Sequence, residues 1–333
     1  MLSHLAKAAA LSAIAVATLA ATPRVCPAER HALVIGVNDC PQFRTGRAIG
    51  LRKLRGAEHD ARLIAQTLQA EFGFAAERVT TLVGEAAVSS AVRAEMDRLA
   101  RSLTADDQLV FYFAGHGTRR RDLPPEDELD DGLDEALCLH DTTPAGGNLL
   151  VDDDLRLWLA SLRAARVTVI LDCCHSGSGT KGSGGTNGVS GGTNGGGEEA
   201  FTPRFLQLSA AARAPALDPD RRPWTELTAA TKAGGARLMA LYACSNEQSA
   251  YERRYFDPKP THRGQFTHHL LRALRDPAEA DTNGDGRLSI GEASAYVSGA
   301  IEREFNARRR DPRRQQTPRH EAARDSWELI ARQ

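Results

Sequence analysis

An α/β fold, with a mostly parallel β-sheet sandwiched by α-helices, is what this sequence predicts, on three observations. Short β-branched and apolar runs alternate with longer stretches of helical periodicity, the signature of repeated right-handed βαβ units. Two of those runs, residues 108–113 and 167–171, carry no charge, as strands covered on both faces do. The chain is 333 residues long and 41% hydrophobic, enough for a substantial core in one or two domains.

The elements follow in order. Residues 31–37 form the first strand, and 57–72 the first helix, with acidic residues near its start. Residues 79–83 are a second strand and 89–103 a second helix. Strand three, 108–113, runs into His116. Residues 119–141 are charged and contain Gly and Pro, which predicts a loop, and 149–162 open a third helix. Strand four ends at Asp172. A later strand spans 237–243, a helix 266–274, and helix-like sequence 292–305. Between them, residues 176–197 hold Ser183-Gly184-Gly185-Thr186-Asn187-Gly188 and its exact copy from Ser190 to Gly195, a low-complexity linker unable to pack a core.

Two phrases carry chemistry: Tyr112-Phe113-Ala114-Gly115-His116-Gly117 and Leu171-Asp172-Cys173-Cys174-His175-Ser176-Gly177. Each puts a reactive side chain where a strand gives out, the edge at which open α/β sheets bind ligands. An imidazole on one strand end and a thiol on the next can act as base and nucleophile, because a thiol at its free pKa is only slightly ionised near neutrality. Glycines beside them let backbone approach a substrate, and backbone N–H groups there suit an oxyanion. Singly, the same residues serve as a turn histidine and buried apolar cysteines.

These phrases resemble the caspase-like cysteine peptidases of the metacaspase type, including bacterial members of peptidase family C14. So do His31-Ala32-Leu33-Val34-Ile35-Gly36-Val37, Leu54-Arg55-Gly56-Ala57-Glu58-His59-Asp60-Ala61 and Asp130-Asp131-Gly132-Leu133-Asp134-Glu135-Ala136-Leu137. Ala243-Cys244-Ser245-Asn246-Glu247-Gln248-Ser249-Ala250 and Gly264-Gln265-Phe266-Thr267 extend the resemblance, which covers residues 31–316. It implies that Cys174, not Cys173, is the nucleophile and His116 the base, with Gly117 and Cys174 amides at the oxyanion. It implies cleavage after Arg or Lys, read by the acids at Asp60 and Asp172 through carboxylate–guanidinium contacts. A helix N-terminal carboxylate at Asp60 and a loop-binding strand-end acid at Asp172 are the plainer alternatives. Ala114 stands where family members have a Ser two before the His. The resemblance further divides the chain into a large-subunit part (29–177), a flexible linker (178–200) and a small-subunit part (201–320), with a tail at 321–333. Lys181, Arg204 and Arg213 are then candidate self-cleavage points.

A second signal is Asp281-Thr282-Asn283-Gly284-Asp285-Gly286-Arg287-Leu288-Ser289-Ile290-Gly291-Glu292. Side-chain oxygens fall at positions 1, 3, 5, 9 and 12, with Gly at 6, the pattern of an EF-hand loop for Ca2+. Its expected ligands are Asp281, Asn283, Asp285, the Arg287 carbonyl, Ser289 and Glu292. Pro277 interrupts the first flanking helix. The family resemblance adds Asp152 and Asp153 as calcium candidates, whose plainer reading is a helix first turn.

Composition narrows the rest. Net charge of −1 gives no drive toward nucleic acid, and 5% aromatics make a base-stacking platform improbable. Six cysteines at 26, 40, 138, 173, 174 and 244 show no zinc spacing, and Cys26–Cys40 pairing is left open. Residues 1–21 read as a signal peptide, with a basic start, an uncharged run from 8 to 21 and Pro23 beyond, predicting a periplasmic or secreted protein without a membrane span. The expectation is a calcium-influenced endopeptidase acting on protein or peptide substrates, favoured as a monomer. The rival is a catalytically silent calcium-binding interaction module on the same fold.

Overall fold

The structure, a computed structural model, describes residues 28–44, 53–121, 133–174, 201–209, 212, 237–256 and 259–331. The signal-peptide segment 1–21, Cys26, the linker 178–200, Lys181 and Arg213 lie outside the described residues. The expected α/β class is what the structure shows. A six-stranded sheet has the order β12-β9-β7-β3-β1-β2, built from β1 (Arg30–Gly36), β2 (Val79–Val83), β3 (Gln108–Ala114), β7 (Arg166–Asp172), β9 (Arg237–Tyr242) and β12 (Arg319–Ala322). All neighbours are parallel except β12, which runs antiparallel along β9. Helices α1 (Ala57–Phe72), α2 (Ser89–Ser102), α3 (Asp152–Ser161), α4 (Gln265–Arg275) and α5 (Ile290–Glu304) accompany it.

Alternation along each strand divides the interior. Leu109, Phe111 and Phe113 of β3 enter one core with Val92, Met96 and Leu99 of α2 and Leu155 and Trp158 of α3. Val110, Tyr112 and Ala114 enter the other, with residues of α1, α4 and α5. A two-residue side-chain period and cover on both faces explain why these strands carry no charge. Trp158 also donates Nε1–H to the Met96 carbonyl at 2.8 Å, so α3 is tied to α2 without leaving a buried donor unpaired.

Three expectations need correction. Residues 119–141 are not all loop: β4 (Gly117–Arg121) and β5 (Leu133–Cys138) pair antiparallel, and β5 pairs with β6 (Leu149–Val151). Cross-strand ion pairs, Arg120–Asp134 at 2.8 Å and Arg119–Glu135 at 3.0 Å, let so charged a stretch form a ladder. The third helix begins at Asp152 rather than 149, because residues 149–151 complete that small sheet. A further small sheet holds β8 (Thr202–Pro203), β10 (Tyr251–Phe256) and β11 (Pro260–Gly264) in the order β11-β10-β8. Residues 321–333, separated as a tail on sequence grounds, include the end of β12 and the buried Leu329 and Ile330, and the Leu329 N–H donates to the Leu288 carbonyl at 2.9 Å.

Candidate active site

Parallel register fixes the site. In the β3–β7 pairing Ala114 lies opposite Asp172, so His116 and Cys174 each lie two residues past the same rung, at the carboxyl edge of the sheet. Both are buried, at 1% and 0% exposed. Vicinal Cys173 and Cys174 divide between the two cores, Cys173 with the α2 side and Cys174 with the α1 side.

Across this edge runs the segment 201–209, extended and bonded on both flanks. Thr202 and Pro203 pair antiparallel with Glu252 and Tyr251 of β10, and Arg204 N–H donates to the Ala250 carbonyl at 2.8 Å. Beyond it, Leu206 N–H donates to the Gly117 carbonyl at 2.9 Å, and Thr118 Oγ1 donates to the Leu206 carbonyl at 2.7 Å. The segment is therefore held as an added strand. At its centre the Arg204 carbonyl oxygen accepts from Gly117 N–H at 2.9 Å and from Cys174 N–H at 3.4 Å. Those two amides are the pair expected at an oxyanion.

The Arg204 side chain is fully buried among acids. Its Nη2 lies 2.6 Å from Asp60 Oδ2, its Nη1 2.9 Å from Asp172 Oδ2, and Glu252 Oε2 is 3.6 Å from Nη2. Each acid is fixed in turn. Gly264 N–H donates to Asp60 at 2.8 Å, Thr267 Oγ1 donates to Asp172 Oδ2 at 2.6 Å, and Arg55 and Gly56 N–H donate to Glu252 at 2.7 and 3.0 Å. Burial pushes the Asp60 carboxyl up to about 7, against the pull of the Arg204 guanidinium and with a further push from Asp172. Asp60 Oδ1, Asp172 Oδ1 and Arg204 Nε have no hydrogen-bond partner among the described residues. A buried ion cluster with unsatisfied atoms is a weak source of stability. What it does show is one guanidinium held by charge-assisted contacts to three carboxylates.

Burial pushes the Cys174 thiol up to about 12, while the Ala250 N–H and Ser249 hydroxyl face its sulfur and favour the thiolate. So Asp60, Asp172, Gly117 and Cys174 all come together around Arg204, with His116 adjacent to Gly117. Sequence reasoning missed Glu252, Thr267 and the role of Gly264. A Cβ on Gly264 would lie 2.2 Å from Asp172 Oδ2 and 2.8 Å from Arg204 Cζ, so this wall of the pocket requires glycine. The phrase Gly264-Gln265-Phe266-Thr267 was a visible signal for two of these. Glu252, in a charged edge strand, had none.

The first half of the EF-hand-like loop is folded by its own side chains. Asp281 accepts from Gly284 and Gly286 N–H at 2.7 and 2.8 Å, Asn283 from Asp285 N–H at 2.8 Å, and both glycines take positive φ. In its second half the carboxylate is already engaged. Glu292 spends one carboxylate oxygen on Thr282 and Asn283 N–H and the other on Ser289, as the capping box of α5. Asp152 and Asp153 stand in the first turn of α3, where Asp153 pairs with Arg156. Among the described residues, Glu29, His31 and Asp107 are the one set of three metal-ligating groups with ligand atoms all within 4.8 Å of one another, at the opposite edge of the sheet.

Curated relatives are similar to part of this chain. Metacaspase III c of Phaeodactylum tricornutum is 32% identical over 161 residues, 46% of this chain and 45% of that protein. Metacaspase-1A of Aspergillus fumigatus is 34% identical over 161 residues, 46% of this chain and 36% of that protein. Metacaspase-4 of Arabidopsis thaliana is 35% identical over 133 residues, 38% of this chain and 30% of that protein. The chain thus spans less than half the length of these relatives. In fold it is similar to a crystal structure of a Geobacter sulfurreducens protein, with a TM-score of 0.54 and 24% identity over 89% of this chain and 93% of that one. The family model described as the caspase domain, in peptidase C14, matches residues 29–325, and the chain belongs to that family.

Proposed function

We propose that this chain is a cysteine endopeptidase that cuts after arginine or lysine, and that the Arg204–Phe205 bond of its own chain is its first substrate. One observation carries the reading: a single residue, Arg204, has its guanidinium between Asp60 and Asp172 and its carbonyl oxygen on the Gly117 and Cys174 amides. Nothing in ordinary packing requires a side chain and its own carbonyl to meet these two groups together.

The chemistry follows from that placement. His116 takes the Cys174 proton, and the thiolate attacks the Arg204 carbonyl carbon. Negative charge develops on an oxygen already facing two N–H donors. His116 returns the proton to the Phe205 amine as the C–N bond breaks. Water then attacks the thioester, the Arg204 carboxylate forms, and the thiol is restored. Lysine, a point charge on a flexible stem, enters the same acidic pocket without the two-pronged contact, so arginine is the better substrate.

We extend the proposal to calcium at the loop 281–292, where Asp281, Asn283, Asp285, the Arg287 carbonyl and Ser289 would hold it and Glu292 would join by leaving its cap. The ion would supply structural tightening of the segment before α5. Export of the chain through residues 1–21 belongs to the same reading.

The test is hydrolysis of fluorogenic peptides ending in Arg, Lys or Asp, with calcium or chelator, by wild type and Cys174→Ala. Arg cleavage exceeding Lys, absent for Asp and lost in the mutant, is the expected result. Silence on all three, with calcium still raising the melting temperature, would favour the silent calcium-binding module. A melting temperature indifferent to calcium would remove calcium from the account.

A further inference from the structure

Upstream of Arg204, the segment makes contacts that the basic pocket does not call for. The Phe201 ring lies 4.7 Å from the Phe305 ring, centroid to centroid, at 60°, and 6.5 Å from the Tyr251 ring at 85°. Two guanidinia complete the enclosure: Arg309 Cζ is 4.9 Å from the Phe201 centroid and Arg253 Cζ 5.8 Å. Arg309 also stacks at 3.3 Å on Phe305, which is 1% exposed, and donates to the Phe305 carbonyl at 2.6 Å, so this wall is fixed.

Every wall residue is separate from the segment it encloses. Tyr251 and Arg253 belong to β10, Phe305 follows α5, and Arg309 lies in the turn after it. A cut after Arg204 therefore leaves the enclosure intact and frees its occupant, residues 201–204, at a new chain end. Its geometry suits one class of side chain. Edge-to-face aromatic pairs favour a ring over an aliphatic group, and cations over a ring face add to that preference.

Resting on the reading of the Arg204 pocket above, we infer that Tyr251, Arg253, Phe305 and Arg309 form a specificity subsite for an aromatic side chain three residues before the cleaved arginine. The substrates are extended peptides of the form aromatic-X-X-Arg, bound as a strand along β10. The segment Phe201-Thr202-Pro203-Arg204 is the built-in example.

The experiment compares Phe-Thr-Pro-Arg and Ala-Thr-Pro-Arg coumarin amides on wild type, Arg309→Ala and Tyr251→Leu. The same two peptides as free acids are titrated calorimetrically into a Cys174→Ala, Phe201→Ala, Arg204→Ala chain, whose own segment no longer fills either pocket, which reads binding without turnover. Wild type should favour the Phe peptide by about tenfold in kcat/KM and in affinity, a magnitude set by one aromatic cluster with cation contacts. The ratio should fall toward one in both single variants, and a Trp peptide should behave as the Phe peptide does. Equal cleavage and equal affinity for Phe and Ala peptides would overturn the subsite and leave the arginine reading standing. Failure of both peptides to be cut and bound would overturn the arginine reading and the subsite with it.

Discussion

On the proposed reading, Asp60 is one buried residue that sets both what the site binds and when. Its carboxyl is pushed up to about 7 by burial, and only its ionised form attracts a guanidinium. Arginine recognition should therefore strengthen as pH rises through the neutral range, and kcat/KM for Arg peptides in Asp60→Asn should lack that rise. The stability sign runs the other way. A carboxyl raised above its unfolded value favours the folded state fully below about 4 and loses that contribution as pH climbs through about 7. Denaturation midpoints across that window should be flatter in Asp60→Asn. Gly264 is the second test at this scale. Its missing Cβ leaves the room in which Asp172 and the guanidinium meet, so Gly264→Ala should cut kcat/KM for Arg peptides by about 100-fold or more, the scale of one disrupted buried ion contact. Much of this candidate site was legible in sequence: His116 and Cys174 sit in phrases whose residue types suggest a base and a thiol, and the family resemblance singles out Asp60 and Asp172. Glu252 was not, because a lone acid in a charged strand looks solvated until the fold buries it at 1% exposure.

Elements differ in how openly they announce themselves, for a physical reason. α1 and β2 occupy the residues that periodicity predicts, 57–72 and 79–83, because their apolar faces answer to the large sheet. The small sheets hide, since β4 and β5 are held by cross-strand ion pairs rather than by apolar alternation. β8 is only two residues long, and its meaning lies in where it leads. It delivers Arg204 to the acids and the two amides, while Leu206 and Leu208 just beyond are 2% exposed and anchor the downstream side. The same segment lies against the Cys174 backbone, with the Arg204 carbonyl 3.4 Å from its N–H. Arg204→Ala removes the side chain that seats it, so alkylation of Cys174 by iodoacetamide, followed by peptide mass spectrometry, should accelerate by about tenfold or more over an uncut chain carrying Arg204. Unchanged alkylation would mean that something other than this segment shields the thiol.

At the scale of the molecule, the parallel sheet explains why residues from distant parts of the chain meet. Its carboxyl edge gathers Gly117 after β3 and Cys174 after β7, while α1 and the β10–β11 hairpin bring Asp60, Glu252 and Gly264 to the same place. Sequence reveals the sheet because buried strands are uniformly apolar. It does not reveal that residue 204, after a low-complexity stretch, returns to the edge, because that depends on three acids converging in space. The most direct measurement is the intact mass and new N-terminus of purified wild-type, Cys174→Ala and Arg204→Ala chains after incubation with calcium. The account predicts a single cut in wild type that yields a fragment beginning at Phe205, and no such cut in either variant. A wild-type chain that stays whole, or a Phe205 terminus that persists in Cys174→Ala, would contradict it.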